Sequence, residues 1–219
     1  MASSPSQTRV KICGLSTEAT LTAALEAGAD WIGLVHFPRS PRHVALAGAA
    51  ALSALARGRA ERVILLVDPD DALLAASVEA VDPDLVQLHG RESPERVAAI
   101  RARTRRPVMK ALGIATSADL AALPVYAAVA DRILLDAKAP PDAALPGGNG
   151  RRFDWEILRG AALPPGTMLS GGLDAGNVAD ALARTGIGAV DVSSGVETAP
   201  GVKDPAKIAA FVAAARGLR

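Results

Sequence analysis

The chain has only one cysteine, few aromatic residues and almost no net charge. The single thiol, Cys13, excludes an internal disulfide, and such sparse cysteine usage is typical of proteins from a reducing cytoplasm. A formal net charge of +1 gives no reason to expect nucleic acid or an anionic membrane surface as a partner. Aromatics make up 3% of the 219 residues, so alanine and the aliphatic residues must supply most of the core.

The sequence also lacks long apolar runs. Its first residues, MASSPSQTRVK, have neither the basic start nor the apolar stretch of a signal peptide. The longest apolar runs are short, rich in alanine and interrupted, so we expect no membrane span and a cytoplasmic location. No linker divides the chain. The expected organisation is a flexible polar tail over residues 1–8 and one catalytic domain over residues 9–219.

Runs of β-branched and aliphatic residues alternate with alanine- and leucine-rich helical patterns. The predicted strands are Arg9–Cys13, Trp31–Val35, Arg62–Val67, Leu85–Leu88, Val108–Leu112, Ile133–Asp136, Met168–Ser170 and Ala189–Val192. This alternation predicts parallel strands, because each crossover needs a helix. Eight such units predict an α/β fold, a single (β/α)₈ TIM barrel. A doubly wound open sheet is the alternative, but its usual glycine-rich turn is missing after the first strand.

In a TIM barrel, functional residues lie at the carboxyl ends of the strands. Those positions hold Cys13, His36, Asp68, His89, Asp136 and two turns, Ser170-Gly171-Gly172 and Ser193-Ser194-Gly195. The turns follow strands seven and eight, where barrels often bind a phosphate through backbone N–H groups. Each could also be an ordinary tight turn, but their places in the barrel favour a phosphate site.

Cys13 and Asp136 are the candidates for proton transfer. A lone cysteine is more often an inert buried residue, and a carboxylate at a strand end can serve as a cap. A thiol and a carboxyl group held in opposite protonation states can, however, act as base and acid. Strands one and six lie three strands apart in an eight-stranded ring. We therefore expect the two side chains to face each other across the mouth without a direct hydrogen bond.

Lys11 carries a separate structural prediction. It lies two residues before Cys13 on one strand, so the two side chains share a face. If Cys13 faces the mouth, Lys11 points into the barrel one layer lower. A buried ammonium needs a carboxylate partner, and Asp191 on the neighbouring eighth strand has the matching orientation. The sequence therefore predicts a buried pair between Lys11 and Asp191.

Several short motifs occur in a fixed order from the first strand to the last. They are VKICG at 10–14, SPR at 40–42, VQLHG at 86–90, LLD at 134–136, GGNG at 147–150 with FDW at 153–155, LSGGL at 169–173, and DVSSGVE at 191–197. Taken together, these motifs resemble those of the phosphoribosylanthranilate isomerase family. The resemblance covers nearly the whole chain, whereas any one motif would be a weak indication.

The resemblance implies a step of tryptophan biosynthesis, the Amadori rearrangement of N-(5′-phosphoribosyl)anthranilate to 1-(2-carboxyphenylamino)-1-deoxyribulose 5-phosphate. Asp136 would be the general acid that protonates the furanose ring oxygen, and Cys13 the general base that removes the proton from C2. Arg42 would hold the anthranilate carboxylate, for which a guanidinium offers a two-pronged fit. The remaining substrate-binding residues would be His89 and, around the phosphate, Gly171, Gly172, Ser193, Ser194 and Gly195.

The implied partner is a small-molecule phosphorylated sugar amine, bound without metal or organic cofactor by a monomer or a homodimer. Two other functions remain open. A metal-dependent sugar-phosphate epimerase or isomerase could use ligands among His36, Asp68, His89 and Asp136. A non-catalytic barrel that binds a phosphate ligand would keep the two glycine turns and need neither Cys13 nor Asp136.

Overall fold

The computed structural model describes residues 7–140, 145, 147–148, 150 and 152–217. In it, eight parallel strands close into a barrel, in which each strand pairs with the next and the eighth pairs with the first. The strands are β1 Arg9–Cys13, β2 Trp31–Val35, β3 Glu61–Leu66, β4 Leu85–Leu88, β5 Val108–Ile114, β6 Arg132–Ala137, β7 Met168–Leu169 and β8 Ala189–Val192. The predicted TIM barrel is confirmed. Most of the predicted tail, residues 1–8, lies outside the described residues, so the domain limits stay a prediction.

Helices cover the outside of the barrel. Those of the described part are α1 Glu18–Glu26, α2 Leu46–Ala56, α3 Asp71–Val81, α4 Pro94–Thr104, α5 Leu123–Ala127, α6 Val178–Thr185 and α7 Pro205–Ala215. The side chains of Thr17, Asp70, Ser93 and Asp204 cap four of them by accepting hydrogen bonds from first-turn N–H groups. No helix in the described ranges is long and apolar enough to cross a membrane.

The sequence predicts helices over Ser117–Leu123 and Asp154–Arg159, and both form 3₁₀ helices. They cover Ser117–Ala122, which leads directly into α5, and Trp155–Leu158. In the second, the Asp154 side chain accepts from the N–H of Glu156, only two residues later, which tightens the turn. The sequence also did not predict the segment after β8. That segment forms a 3₁₀ turn, Ser194–Val196, and a small hairpin of β9 Glu197–Ala199 and β10 Val202–Lys203.

Inside the barrel, an apolar layer lies below a polar one. The apolar layer consists of Trp31, Val63, Leu85, Met109, Ala111, Leu134, Met168 and Ala189. Because side chains alternate along a strand, Gln87 and Asp191 also point inward, two residues beyond Leu85 and Ala189. This alternation places buried polar groups directly beneath the carboxyl ends of the strands.

The predicted pair between Lys11 and Asp191 is confirmed. Lys11 Nζ lies 2.8 Å from Asp191 Oδ1, and the side chains are 0% and 5% exposed. Ser170 Oγ donates to the other carboxylate oxygen at 3.2 Å. Burial is the largest single effect on the pKa of Lys11 and lowers it, but the charges of Asp191 and Cys13 and the hydrogen bonds to both together outweigh it, so the pKa is raised. The cation beneath Cys13 is therefore permanent at neutral pH.

Candidate active site

A pocket opens at the carboxyl ends of the strands, which form the mouth of the barrel. Most of the predicted site residues line it, namely Cys13, Arg42, His89, Asp136, Gly171, Gly172, Ser193 and Ser194. Glycines of the loop after β6, Gly147, Gly148 and Gly150, line the same pocket. The fold therefore brings the expected acid, base and both anion-binding segments to one cavity.

The residues considered as metal ligands are not gathered into one set. His36 Nδ1 lies 2.9 Å from a backbone carbonyl oxygen of the following loop, and Asp68 accepts from the N–H of Arg91 at 2.6 Å. Neither lines the pocket, whereas His89 and Asp136 do and contact each other. Among the described residues, no group of three or more histidine, cysteine and carboxylate side chains is arranged to hold a metal ion.

Cys13 ends β1 and is buried at the base of the pocket, with 4% of its surface exposed. Gly33 of β2 makes room for it, because a Cβ there would lie 2.9 Å from Cys13 Sγ and 3.0 Å from Lys11 Nζ. Burial raises the pKa of the Cys13 thiol above its ordinary value, and the positive charge of Lys11 opposes part of that rise. The resting thiol is thus neutral but lies beside a cation that favours its thiolate.

Asp136 lies near the end of β6 and is also buried. One carboxylate oxygen accepts from the N–H of Ala137 at 2.9 Å, and the other lies 3.1 Å from His89 Nε2. Gly147 packs directly against this pair, since a Cβ there would lie 2.5 Å from His89 Nε2 and 2.7 Å from Asp136 Oδ2. Within the described structure no hydrogen bond joins Cys13 to Asp136, in agreement with the prediction from strand positions.

Arg42 has an internal partner that the sequence did not predict. Its Nε and Nη2 donate to the two carboxylate oxygens of Glu197 at 2.7 and 2.8 Å, and both side chains are buried. Nη2 also donates to the Gly148 carbonyl oxygen at 3.3 Å. One edge of the guanidinium is therefore held by the protein. The Nη1 corner points to the loop after β6, because a Cβ at Gly148 would lie 2.6 Å from it.

Glu197 also binds Lys203, a second residue that sequence reasoning missed. Lys203 Nζ lies 2.7 Å from Glu197 Oε1 and donates to the backbone oxygen of Ser193 at 2.9 Å. Burial raises the pKa of Glu197, but hydrogen bonds from Arg42 and the charge of Lys203 outweigh it, so the pKa is lowered. Glu197 is part of the DVSSGVE motif, so the sequence offered an indication that it belongs to the site. No sequence pattern pointed to Lys203.

The glycine turn after β7 has a left-handed backbone conformation at two positions. Gly171 and Gly172 have φ values of +90° and +62°, which side chains rarely adopt. Gly195 does not line the pocket, but a Cβ there would lie 1.9 Å from the Leu173 carbonyl oxygen. It therefore allows the β8 turn to pack on the β7 turn. The β8 turn leads directly into the 3₁₀ turn Ser194–Val196, in which the N–H of Val196 donates to the Ser193 carbonyl oxygen at 3.3 Å.

The chain is similar to known proteins in both sequence and fold. The model of the family described as N-(5'phosphoribosyl)anthranilate (PRA) isomerase matches residues 10–214. The N-(5'-phosphoribosyl)anthranilate isomerase of Azorhizobium caulinodans is 68% identical, over 94% of this chain and 91% of the relative. The crystal structure of phosphoribosyl anthranilate isomerase from Thermotoga maritima has a TM-score of 0.87 and 34% identity, covering 96% of this chain and 100% of that one.

A further solved structure contains a bound ligand. It is a phosphoribosyl anthranilate isomerase in complex with reduced 1-(o-carboxyphenylamino)-1-deoxyribulose 5-phosphate, with a TM-score of 0.84 and 32% identity. The match covers 96% of this chain and 100% of that one. From the family match and the identity to its relatives, the chain belongs to the N-(5'-phosphoribosyl)anthranilate isomerase family.

Proposed function

We propose that this chain catalyses the Amadori rearrangement of N-(5'-phosphoribosyl)anthranilate in tryptophan biosynthesis, with Asp136 as general acid and Cys13 as general base. One observation carries the assignment of roles: a single pocket is lined by both groups, by Arg42 and by residues of the two glycine turns. The substrate has a carboxylate at one end, a phosphate at the other and the reacting sugar between them. The pocket offers matching groups for all three parts.

The reaction begins with opening of the sugar ring. The proton on Asp136 goes to the furanose ring oxygen while the bond from that oxygen to C1 breaks, and the nitrogen lone pair forms the C=N bond of a Schiff base. Asp136 is left as a carboxylate. The N–H of Ala137 and the ring of His89, at 2.9 and 3.1 Å, are placed to stabilise that charge.

Cys13 then acts on the opened sugar. Once the neutral thiol has lost its proton to solvent, its thiolate takes the proton from C2, the electron pair of that bond forms a C1=C2 double bond, and the iminium nitrogen becomes a neutral amine. The ketone forms when C1 takes up a proton and the C2 hydroxyl loses one, so the overall change is an isomerisation. Lys11, which lies below the thiol, favours the thiolate that this step needs. A working free thiol fits a reducing cytoplasm.

The two ends of the substrate are bound by different elements in this proposal. Because Glu197 occupies the Nε edge of Arg42, the anthranilate carboxylate would meet the Nη1 side, next to Gly148. The phosphate would lie against the two glycine turns, at Gly171, Gly172, Ser193 and Ser194, with Gly195 supporting them. His89 lines the pocket beside the acid, and its contact with substrate stays a prediction.

Arg42→Ala is expected to raise KM by roughly 10- to 100-fold with a smaller change in kcat. The carboxylate loses a charged hydrogen-bond partner worth about 1.5–3 kcal/mol in the ground state and the transition state alike. Steady-state kinetics on Arg42→Ala and Arg42→Lys would measure this. The lysine variant is the matched control because it keeps a charge beside Glu197. Lysine should restore only part of the affinity because it lacks the planar fork. An unchanged KM in Arg42→Ala would remove this residue from the substrate site.

The only thiol of the chain should titrate at higher pH in the folded protein than in the unfolded one. Burial raises its pKa more than Lys11 lowers it, so less thiolate is present at a given pH. The rate of alkylation by iodoacetamide, followed against pH, measures the thiolate because no second cysteine contributes. The same chain in urea is the control, with an expected midpoint of about 8.5. A folded midpoint below the unfolded one would contradict the assignment of burial as the dominant effect.

Conversion of phosphoribosylanthranilate, followed through its fluorescence with and without a chelator, tests the function as a whole. We expect full turnover in both conditions. Loss of turnover with the chelator would favour a metal-dependent epimerase or isomerase. Binding without turnover in either condition would favour a non-catalytic binding barrel. Light scattering on the same sample distinguishes a monomer from a homodimer.

A further inference from the structure

Gln87 is a buried polar residue that the proposed mechanism does not use. It lies on β4, is fully buried and does not line the pocket. Its side-chain Nε2 lies 3.1 Å from Nδ1 of His89, two residues further along the same face of the strand. Its Oε1 is buried and has no hydrogen-bond partner among the described residues. An apolar side chain would fill this place without leaving an unsatisfied oxygen, so the amide needs an explanation.

With its amide nitrogen facing Nδ1, Gln87 favours one of the two neutral tautomers of His89. A neutral imidazole has one N–H and one acceptor nitrogen. An amide N–H donated to Nδ1 makes Nδ1 the acceptor, and the ring proton must then lie on Nε2. Nε2 is the atom that lies 3.1 Å from Oδ2 of Asp136. The chain of contacts therefore runs from the amide through the imidazole to the carboxyl group of the acid.

We propose that Gln87 is a positioning residue for the general acid, which rests on the role proposed above for Asp136. By fixing the His89 tautomer, it keeps an N–H pointed at Oδ2 throughout the reaction. The proton that Asp136 delivers is then directed away from His89 and towards the substrate. After delivery, the same N–H stabilises the carboxylate that remains. No proton passes through Gln87, and its effect on the reaction is exerted through His89.

The neighbouring atoms make this contact difficult to replace. The second carboxylate oxygen of Asp136 accepts from the N–H of Ala137 at 2.9 Å. Gly147 closes over the His89–Asp136 pair so closely that a Cβ would overlap both side chains. The carboxyl group is thus held from three sides, and only the contact with His89 depends on a tautomer.

The first test uses the unaltered protein. Nitrogen-15 NMR of the imidazole rings reports which ring nitrogen is protonated, and the chain has three histidines to assign. We expect the ring proton of His89 to lie on Nε2, with Nδ1 free of hydrogen. A proton on Nδ1, or on both nitrogens, would overturn the proposal without any variant being made.

The second test is a double-mutant cycle with Gln87→Met and His89→Gln. Methionine is similar in length but donates no hydrogen bond, so kcat should fall by about tenfold, the effect of one ordinary hydrogen bond, with KM unchanged. A glutamine at position 89 can donate an amide N–H to Asp136 without a tautomer. In that background Gln87→Met should have almost no further effect. An equal loss of kcat in both backgrounds would show that Gln87 only fills space.

Two further variants distinguish a failure of the role proposed for Gln87 from a failure of the function proposed for Asp136. Leu85→Met alters the apolar layer two residues earlier on the same strand and should leave kcat nearly unchanged. Asp136→Asn tests the acid itself. If that variant keeps its turnover, the proposed function of Asp136 fails. If it loses turnover while Gln87→Met keeps both its kcat and the His89 tautomer, only the role of Gln87 fails.

Discussion

Cys13→Ser is expected to lower turnover by roughly 10²–10⁴-fold, the range for removal of a positioned acid or base. A thiol has an ordinary pKa of about 8.5, and a serine hydroxyl is a far weaker acid, so almost no alkoxide forms at neutral pH. Lys11 cannot compensate, because its stabilisation of the thiolate is only a fraction of that difference. Single-turnover conversion of phosphoribosylanthranilate would measure the loss.

Serine is the appropriate replacement because Cys13 is buried against Gly33 and Lys11. A hydroxyl occupies slightly less space than the thiol, so the fold and the affinity for product should persist. Thermal unfolding and product binding provide those two controls. If folded Cys13→Ser kept near-normal turnover, Cys13 would not be the base.

Asp136→Asn is expected to cause a loss of the same size, roughly 10²–10⁴-fold, for a different reason. The amide has nearly the shape of the carboxyl group but has no acidic proton to give to the ring oxygen. The amide oxygen can still accept from one of the two neighbouring donors, the N–H of Ala137 or the ring of His89, and the side chain keeps nearly its volume, so the fold should be retained. Turnover at saturating substrate, compared with the wild-type chain, is the measurement.

A substrate that is already open would separate this step from the next. The Schiff-base form needs no proton on the ring oxygen, so Asp136→Asn should act on it faster than on the closed sugar. Cys13→Ser should be slow on both. Equal losses on open and closed substrate in Asp136→Asn would place Asp136 in a later step.

The barrel and its polar layer could be predicted because both follow from local patterns. Each strand is a short aliphatic run, and four of them, β1, β2, β4 and β8, have the predicted bounds. The pair between Lys11 and Asp191 follows from the alternation of side chains and the closure of the ring. Two charges that must be buried on adjacent strands have no other favourable arrangement.

The contacts of Glu197 could not be predicted in the same way. Its partner Arg42 lies 155 residues away, on a loop whose path no periodic pattern describes. The hairpin that carries Glu197 and Lys203 consists of strands of three and two residues, too short to leave a sequence signal. Likewise, the orientation of Gln87 towards His89 depends on side-chain geometry, and the sequence indicated only that both residues lie on one face.

Measurement of turnover and binding on Cys13→Ser, Asp136→Asn and Arg42→Lys tests most directly whether the first two residues do chemistry while the third only binds. Single-turnover rates and product dissociation constants would be determined on the same folded preparations. We expect the first two variants to bind product almost normally and to lose turnover, and Arg42→Lys to bind weakly and retain most of its turnover. Near-normal turnover in Cys13→Ser or Asp136→Asn, or a loss in Arg42→Lys confined to turnover, would contradict the proposed division of roles.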